Sequence, residues 1–108
     1  MNPLQPERGI IVIGDAQVAM VADGPVGEAS TFRRSQSGDA LLAAIVTARL
    51  DHPVAFVTRI GSDGFTQGLL KSWDAESLHL DYTRQVGGRN AVALMGGGEA
   101  VRLRDAAA

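Results

Sequence analysis

Cysteine is absent from this sequence, and aromatic residues are scarce: there is one tryptophan, one tyrosine and three phenylalanines. Without cysteine, a disulfide framework, a thiolate metal site and a cysteine nucleophile are excluded. No segment approaches the ~20 apolar residues that a membrane-spanning helix needs. The first residues lack the basic start and the apolar stretch of a signal peptide. We therefore expect a cytoplasmic protein with no membrane partner.

Charge of one sign is not in excess either. Ten Lys and Arg residues stand against twelve Asp and Glu residues, which leaves a net charge of −2. This balance excludes a strongly basic nucleic-acid-binding protein, so we expect no nucleic-acid partner. The histidines, His52 and His79, stand apart without partners at ligand spacing, and we predict no metal site.

Hydrophobic residues make up 45% of the 108 residues, enough for a packed core in a single domain. The β-branched run between Gly9 and Gly14 is typical of a strand covered on both faces, as in parallel sheets. Helical spacing predicts a first helix opened by Ser37-Gly38-Asp39, with Ser37 or Asp39 as its cap. A second helix follows Asp63, its predicted cap. Further strands are predicted at 18–22, 30–35, 53–60, 79–83, 90–95 and 100–103.

The order of these elements predicts the fold class. Buried strands that alternate with helices of this length imply right-handed βαβ crossovers and a parallel sheet. The more polar strand pairs, near 18–35 and 90–103, do not fit inside such a sheet and should form a separate, projecting sheet. The predicted fold class is α/β, a partial parallel sheet with βαβ crossovers plus a projecting β-sheet.

Two local features could bind a small anion or a hydroxyl group. Gly38-Asp39 begins a helix, where free backbone N–H groups bind such ligands, although an ordinary helix entrance is the simpler explanation because such caps are common. Arg102 and Arg104 share one face of a strand, where they could hold a carboxylate or protect a solvated sheet edge. The aspartates, Asp15 among them, are interpreted as cap and turn residues. No catalytic constellation is present.

Four segments together resemble the N-terminal part of PfkB (ribokinase-family) sugar kinases, and most of all 2-keto-3-deoxygluconate kinases. They are Gly14-Asp15 after a buried strand, Ser37-Gly38-Asp39-Ala40-Leu41 at a helix start, the run 48–65, and the closing run 98–107. The resemblance covers about residues 9 to 107, and the run 48–65 is its most specific part.

The resemblance implies a ribokinase-like core with a β-sheet lid, here formed by strands at about 16–36 and 90–104. Family members transfer the γ-phosphoryl group of ATP to a sugar hydroxyl. Residues 1–108 correspond to only the N-terminal third of such an enzyme, and the family's catalytic Asp, anion hole and ATP pocket belong to the missing part. We therefore expect no catalytic residue and no cofactor in this chain, although ATP and Mg²⁺ are implied for the full-length family. The expected partners are a weakly bound sugar or sugar acid, and a second copy or a missing C-terminal chain.

The resemblance also implies substrate contacts at Gly38, Asp39 and Arg104, of which Arg104 falls where acid-sugar kinases place an Arg toward the substrate carboxylate. Other positions depart from the family pattern. Leu42 stands where the family has an Asn, Ala19 where an acidic residue is frequent, Arg102 where an aromatic residue is expected, and Ser37-Gly38 replaces a pair of glycines. Lost hydrogen-bonding groups predict weakened sugar binding.

Two other functions are compatible with these residues. A non-catalytic binding or assembly module could keep the scaffold and dimerise through the lid strands or an exposed sheet edge. A nucleotide-binding domain of another class would rest on the β-α-β pattern alone, and the sequence contains neither Gly-rich phosphate-binding motif.

Overall fold

The computed structural model describes residues 9–103. Their strands and helices, in chain order, are β1 (Ile10–Ile13), β2 (Gln17–Ala22), β3 (Phe32–Ser37), α1 (Asp39–Arg49), β4 (Val54–Val57), β5 (Arg59–Ile60), α2 (Thr66–Ala75), β6 (Arg84–Gln85), β7 (Val92–Gly96) and β8 (Glu99–Leu103). Neither helix in this part of the chain is long and apolar enough to span a membrane.

Four strands, β1, β4, β5 and β6, lie beside the two helices and are called the parallel strands below. β1 pairs with β4 in parallel, and β5 pairs with β6 in parallel. Instead of the strand predicted over 79–83, a single bridge joins His79 to Ala55 of β4. The prediction of a longer strand is wrong because the chain turns there, with the Thr83 amide donating to the Leu80 carbonyl at 3.0 Å. Since α1 leads into β4 and α2 leads back to the bridge, the predicted α/β class with crossover helices is confirmed.

The continuous strand predicted over 53–60 is divided into β4 and β5, which belong to different sheets. The division falls at Thr58, a buried residue whose carbonyl accepts a hydrogen bond from the Arg84 amide at 3.0 Å. This bond belongs to the pairing of β5 with β6, whereas β4 pairs with β1. A local sequence pattern carries no signal for it, because Arg84 lies in a later part of the chain.

The remaining strands form one four-stranded sheet in the order β3-β2-β7-β8. β2 pairs with β3 in antiparallel orientation and with β7 in parallel, and β7 and β8 form an antiparallel hairpin. Both polar strand pairs predicted from the sequence therefore contribute to a single sheet that is separate from the parallel strands. β3 lies two residues later than the strand predicted over 30–35. Its last residue, Ser37, pairs with Gln17 at the start of β2.

A compact apolar core joins the helices to both groups of strands. Trp73 on α2 and Phe56 on β4 form a T-shaped ring pair, with 5.3 Å between ring centroids and 84° between ring planes. The indole Nε1 of Trp73 also donates to Oε1 of Gln36 on β3 at 2.9 Å. One side chain therefore contacts the parallel strands through its ring and the four-stranded sheet through its N–H group.

Neither helix begins with the side-chain cap predicted from the sequence. The N-cap of α1 is Gly38, and neither Ser37 nor Asp39 makes a capping hydrogen bond. α2 begins after Phe65, also without a side-chain cap. Asp63 instead accepts a hydrogen bond from the Phe65 amide at 2.9 Å, which closes a turn before the helix.

Candidate functional site

An open cleft of about 1080 Å³ lies where β1, β4 and β5 end. Ligands of open α/β sheets bind outside the carboxyl ends of the strands, and the volume is comparable with that of small-molecule sites. Asp15 follows β1 directly and Thr58 follows β4. The charged and polar residues lining the cleft are Asp15, Thr58, Arg59, Asp81, Tyr82, Thr83, Arg84, Gln85 and Asn90. The cleft therefore offers carboxylate, hydroxyl, amide and guanidinium groups, which suit a polar ligand rich in hydroxyl groups.

The start of α1 packs directly against the loop that borders this cleft. Gly38 has a φ of 122°, and a Cβ atom there would lie 2.6 Å from the carbonyl oxygen of Asp15. Only glycine fits both the conformation and the space. Gly14 packs equally closely against the side chain of Ala40 on α1. These two contacts fix the helix start beside the Asp15 segment of the cleft.

A polar network includes Gly61 and Asn90, two residues that line the cleft. The side-chain amide of Asn90 donates from Nδ2 to Oδ1 of Asp63 at 2.7 Å, and its Oδ1 accepts from the Gly61 amide at 2.8 Å. The backbone N of Asn90 donates to Oδ2 of Asp63 at 2.8 Å. Thr66 completes the network, because its hydroxyl donates to the Gly61 carbonyl at 2.6 Å and accepts from Nδ2 of Asn90 at 3.1 Å. The loop after β5 is thereby fastened to the segment that enters β7.

The chain passes very near itself at this network. A Cβ atom on Gly61 would lie 2.7 Å from the backbone N of Asn90. Ser62 adds two hydrogen bonds to the same segment, from its amide to the Gly88 carbonyl and from its hydroxyl to the Val86 carbonyl, each at 2.8 Å. Backbone and side chains therefore both join the parallel strands to the four-stranded sheet at this point.

The network controls the ionisation of Asp63. Desolvation raises the pKa of this carboxyl, and hydrogen bonds from the backbone and side chain of Asn90 lower it. A hydrogen bond from the Phe65 amide and the charge of Arg89 act in the same direction as Asn90. The net result is a pKa below the ordinary value of an aspartate, so Asp63 is a charged acceptor at neutral pH.

The substrate contacts expected from the sequence lie in different surroundings. Gly38 touches the Asp15 segment of the cleft, whereas Asp39 is exposed in the first turn of α1 and is not among the residues that line the cleft. Arg104 lies outside the described residues 9–103. Its predicted neighbour Arg102 is exposed on β8, opposite Ala93.

Two positions that depart from the expected family pattern differ in exposure. Leu42 is 49% exposed on α1, and Ala19 is 2% exposed within β2. Ala19 stands between Ser35 of β3 and Ala93 of β7. Small apolar side chains at the centre of this sheet provide no hydrogen-bonding group to a ligand.

Sequence reasoning missed several cleft residues. Asp15 was interpreted as a turn residue, although its position directly after a buried strand is where α/β proteins place ligand-binding groups. Thr58 was predicted to lie within a continuous strand over 53–60, so its position at a strand end was not expected. Asn90 was predicted only as the first residue of a strand, and its contacts with the Asp63 segment have no local signature. Within residues 9–103, no group of three or more His, Asp or Glu side chains could hold a metal ion.

Comparison with known proteins agrees with this geometry. The architecture is that of an α/β sugar-kinase fold, and a sequence profile of the pfkB family carbohydrate kinases matches residues 8–103. The chain belongs to that family, as its sequence motifs indicated. Two curated relatives, the 2-dehydro-3-deoxygluconokinases of Escherichia coli strains K12 and W, are each 29% identical to it over 86 residues. The match covers 76% of this chain and 26% of each relative, so the chain spans about a quarter of their length.

Solved structures show the same fold at lower identity. A PfkB protein from Polaromonas sp. JS666 superposes with a TM-score of 0.83 and 24% identity, over 90% of this chain and 35% of that one. The fructokinase of Halothermothrix orenii superposes with a TM-score of 0.82 and 20% identity, over 92% of this chain and 38% of the fructokinase. The 2-dehydro-3-deoxygluconokinase of Thermotoga maritima superposes with a TM-score of 0.80 and 13% identity, over 89% of this chain and 31% of that one. In each case, most of the other protein lies beyond the matched part.

Proposed function

We propose that this chain forms the sugar-facing part of a carbohydrate kinase and has no phosphotransferase activity without the remainder of the fold. The observation that carries the proposal is the family match over residues 8–103 combined with coverage of only 26% of the curated relatives. Phosphoryl transfer requires groups that position the nucleotide and stabilise its charge. The proposal assigns those groups, together with ATP and Mg²⁺, to the part of the fold that lies beyond the match.

The proposed substrate is a sugar or sugar acid, which the family relationship and the polar cleft both support. Gly38, Asp39 and Arg104 remain the proposed substrate contacts, and Asp15 joins them because it lines the cleft beside Gly38. We propose weak binding, since Leu42 and Ala19 lack the hydrogen-bonding groups expected from the family. A kinase of this kind would use cytoplasmic ATP, and the cytoplasm is the proposed location.

A chimera tests the proposal. The matched segment of the Escherichia coli K12 2-dehydro-3-deoxygluconokinase is replaced by the corresponding residues of this chain, and ADP formation is measured with 2-dehydro-3-deoxygluconate. We expect turnover by the chimera below that of the parent enzyme, and none by residues 1–108 alone. Turnover by the isolated chain would contradict the claim of inactivity. A folded chimera without turnover would contradict the claim that this chain forms a sugar-facing part.

A second candidate function is a non-catalytic assembly module that dimerises through the four-stranded sheet. The observation that favours it is the exposure of apolar side chains on the outer strands of that sheet, namely Phe32, Val101 and Leu103. An outer strand with apolar residues can pair with a second copy. Light scattering at micromolar concentration distinguishes the candidates: a dimer that the Val101→Lys variant dissociates supports assembly, and a monomer at all concentrations contradicts it.

A further inference from the structure

Two arginines are paired across β5 and β6 in the wall of the cleft. Arg59 of β5 is in parallel register with Arg84 of β6, and both residues line the cleft. Neighbouring strands are about 4.8 Å apart, and residues paired across them direct their side chains to the same face. Like charges directly opposite each other destabilise a sheet. This strand pair therefore holds two guanidinium groups side by side at a cost to its own stability.

No carboxylate within residues 9–103 pairs with these two arginines. In that part of the chain, the guanidinium groups of Arg59 and Arg84 make neither a hydrogen bond nor an ion pair. Asp15 and Asp81 also line the cleft, and neither of them is paired with an arginine of the described residues. Both arginines are exposed. Their N–H donors are therefore available to a ligand in the cleft.

The backbone that carries the two arginines is held in place by hydrogen bonds. The amide of Arg84 donates to the Thr58 carbonyl at 3.0 Å, and the amide of Val86 donates to the Ile60 carbonyl at 2.9 Å. Ile60, which follows Arg59, is 2% exposed and belongs to the apolar core. A binding site placed on strands of the scaffold is more precise than one placed on loops. The two strands thus fix the spacing of the arginines before a ligand arrives.

The arginine pair and Asp15 lie on opposite sides of the segment formed by β4 and β5. Asp15 follows β1, which pairs along one edge of β4, whereas His79 bridges to Ala55 along the other edge and the chain continues from there to β6. A carboxylate accepts hydrogen bonds from hydroxyl groups, and a guanidinium group donates to a carboxylate through two parallel bonds. A ligand that spans the cleft should therefore carry hydroxyl groups at one end and a carboxylate at the other.

We propose that Arg59 and Arg84 bind the carboxylate of a sugar acid and thereby make the cleft selective for sugar acids over neutral sugars. One guanidinium group holds the carboxylate through two parallel hydrogen bonds, and the other adds its positive charge. The hydroxyl groups of the ligand then lie toward Asp15 and Gly38. The inference rests on the proposed function for the sugar class, and it adds the selecting residues and the orientation of the ligand. It differs from the family resemblance, which gives the carboxylate to Arg104.

Ligand binding to residues 1–108 tests the arginine pair. NMR titration at constant ionic strength measures the Kd of 2-dehydro-3-deoxygluconate and that of fructose, a neutral sugar. We expect the acid to bind more tightly than fructose. Arg59→Ala and Arg84→Ala should each weaken binding of the acid by about tenfold, the loss of one charge-assisted hydrogen bond, and leave fructose binding unchanged. Arg84→Lys should recover only part of the loss, because an ammonium group keeps the charge but lacks the planar fork of donors.

Arg33→Ala is the matched control, because Arg33 is exposed on β3, opposite Val21, and does not line the cleft. It removes the same charge and should leave both affinities unchanged. Arg104→Ala tests the role that the family resemblance implies, and the preference for the acid should persist in that variant. Circular dichroism checks that all the variants fold.

Unchanged binding of the acid in both alanine variants of the pair, or equal loss with Arg33→Ala, would overturn the inference and leave the proposed function standing. So would a preference for the acid that only Arg104→Ala removes. Titration with acetate separates the two claims. Saturable shifts of the Arg59 and Arg84 amides with acetate, without binding of either sugar, would support the carboxylate site and contradict the proposed function. No response to acetate or to either sugar would contradict both.

Discussion

Asn90 contacts both carboxylate oxygens of Asp63, from Nδ2 to Oδ1 at 2.7 Å and from its backbone N to Oδ2 at 2.8 Å. The two residues are 27 positions apart in the sequence. Asp63 lies in the loop after β5, and Asn90 lies in the segment just before β7. The pair therefore joins the parallel strands to the four-stranded sheet. The part of the cleft lined by Gly61 and Asn90 depends on this contact.

Replacing Asn90 by alanine should therefore lower the free energy of unfolding. The change removes the acceptor of the Gly61 amide and one donor to Asp63, and buried groups left without a partner cost about 1–3 kcal/mol. Urea unfolding of the two proteins measures the difference. Gln85→Ala is the control, because the Gln85 amide makes only an exposed hydrogen bond to Ser62 at 3.1 Å. Equal destabilisation by the two changes would contradict the structural role of Asn90.

Stability should also depend on pH through Asp63. Its folded-state pKa is lowered, so its contribution is fully present above the ordinary pKa of an aspartate, about 3.9, and is lost as the pH falls through the lower folded-state value. Unfolding in urea at a series of pH values from neutral to strongly acid should show falling stability below about pH 4.

The variant Asp63→Asn isolates this contribution. It should be less stable than the parent at neutral pH, and its stability should fall less steeply in acid. Glu76→Gln is a necessary companion, because the hydrogen bond from Arg49 lowers the pKa of Glu76 and gives it a pH dependence of the same sign. A slope that Asp63→Asn leaves unchanged would refute the assignment to Asp63.

The Gly38→Ala variant should disturb the start of α1. The residue has a φ of 122°, and the new Cβ atom would lie 2.6 Å from the Asp15 carbonyl oxygen. Backbone strain of this kind costs about 1–3 kcal/mol, which thermal or urea unfolding detects. Gly64→Ala is the matched control, since a Cβ atom there meets nothing within 4 Å. Equal changes in the free energy of unfolding for the two variants would contradict the close approach of Gly38 to Asp15.

A double-mutant cycle tests the link between α2 and the four-stranded sheet. Trp73→Phe retains a ring beside Phe56 but removes the indole N–H that binds Gln36. With Gln36→Leu as the second change, the coupling free energy should be about 0.5–1.5 kcal/mol, the net value of one hydrogen bond. Additive effects of the two changes would show that the helix and the sheet are not coupled through this bond.

The sequence predicted those features whose signals are local. The run Ile10–Ile13 and the helical spacing after Gly38 depend on neighbouring residues, and both elements form where expected. The prediction that Asp63 caps α2 was wrong. An aspartate that caps a helix and an aspartate that closes a turn just before the helix look alike in sequence. Only the fold shows that its carboxylate is occupied by Asn90.

Cleft residues were harder to predict because their contacts join segments that are distant in the sequence. Thr58 and Arg84 meet through a backbone hydrogen bond between distant segments, and this contact lies where the strand predicted to be continuous divides into β4 and β5. The family motifs identified the region of Gly38 and Asp15, whereas the chemistry of the opposite wall depends on loops whose positions are set by tertiary contacts. Residue type and spacing therefore predicted the scaffold better than the composition of the site.

The most direct test of the central claim is an NMR titration of residues 1–108 with 2-dehydro-3-deoxygluconate and, separately, with ATP and Mg²⁺. If the chain is the sugar-facing part of a kinase, millimolar sugar acid should shift the amide signals of Gly14, Asp15 and Gly38 and leave Gly64 unchanged, while the nucleotide should produce no comparable set of shifts. Saturable shifts with ATP at the cleft, or no response of these three amides to the sugar acid, would contradict the account.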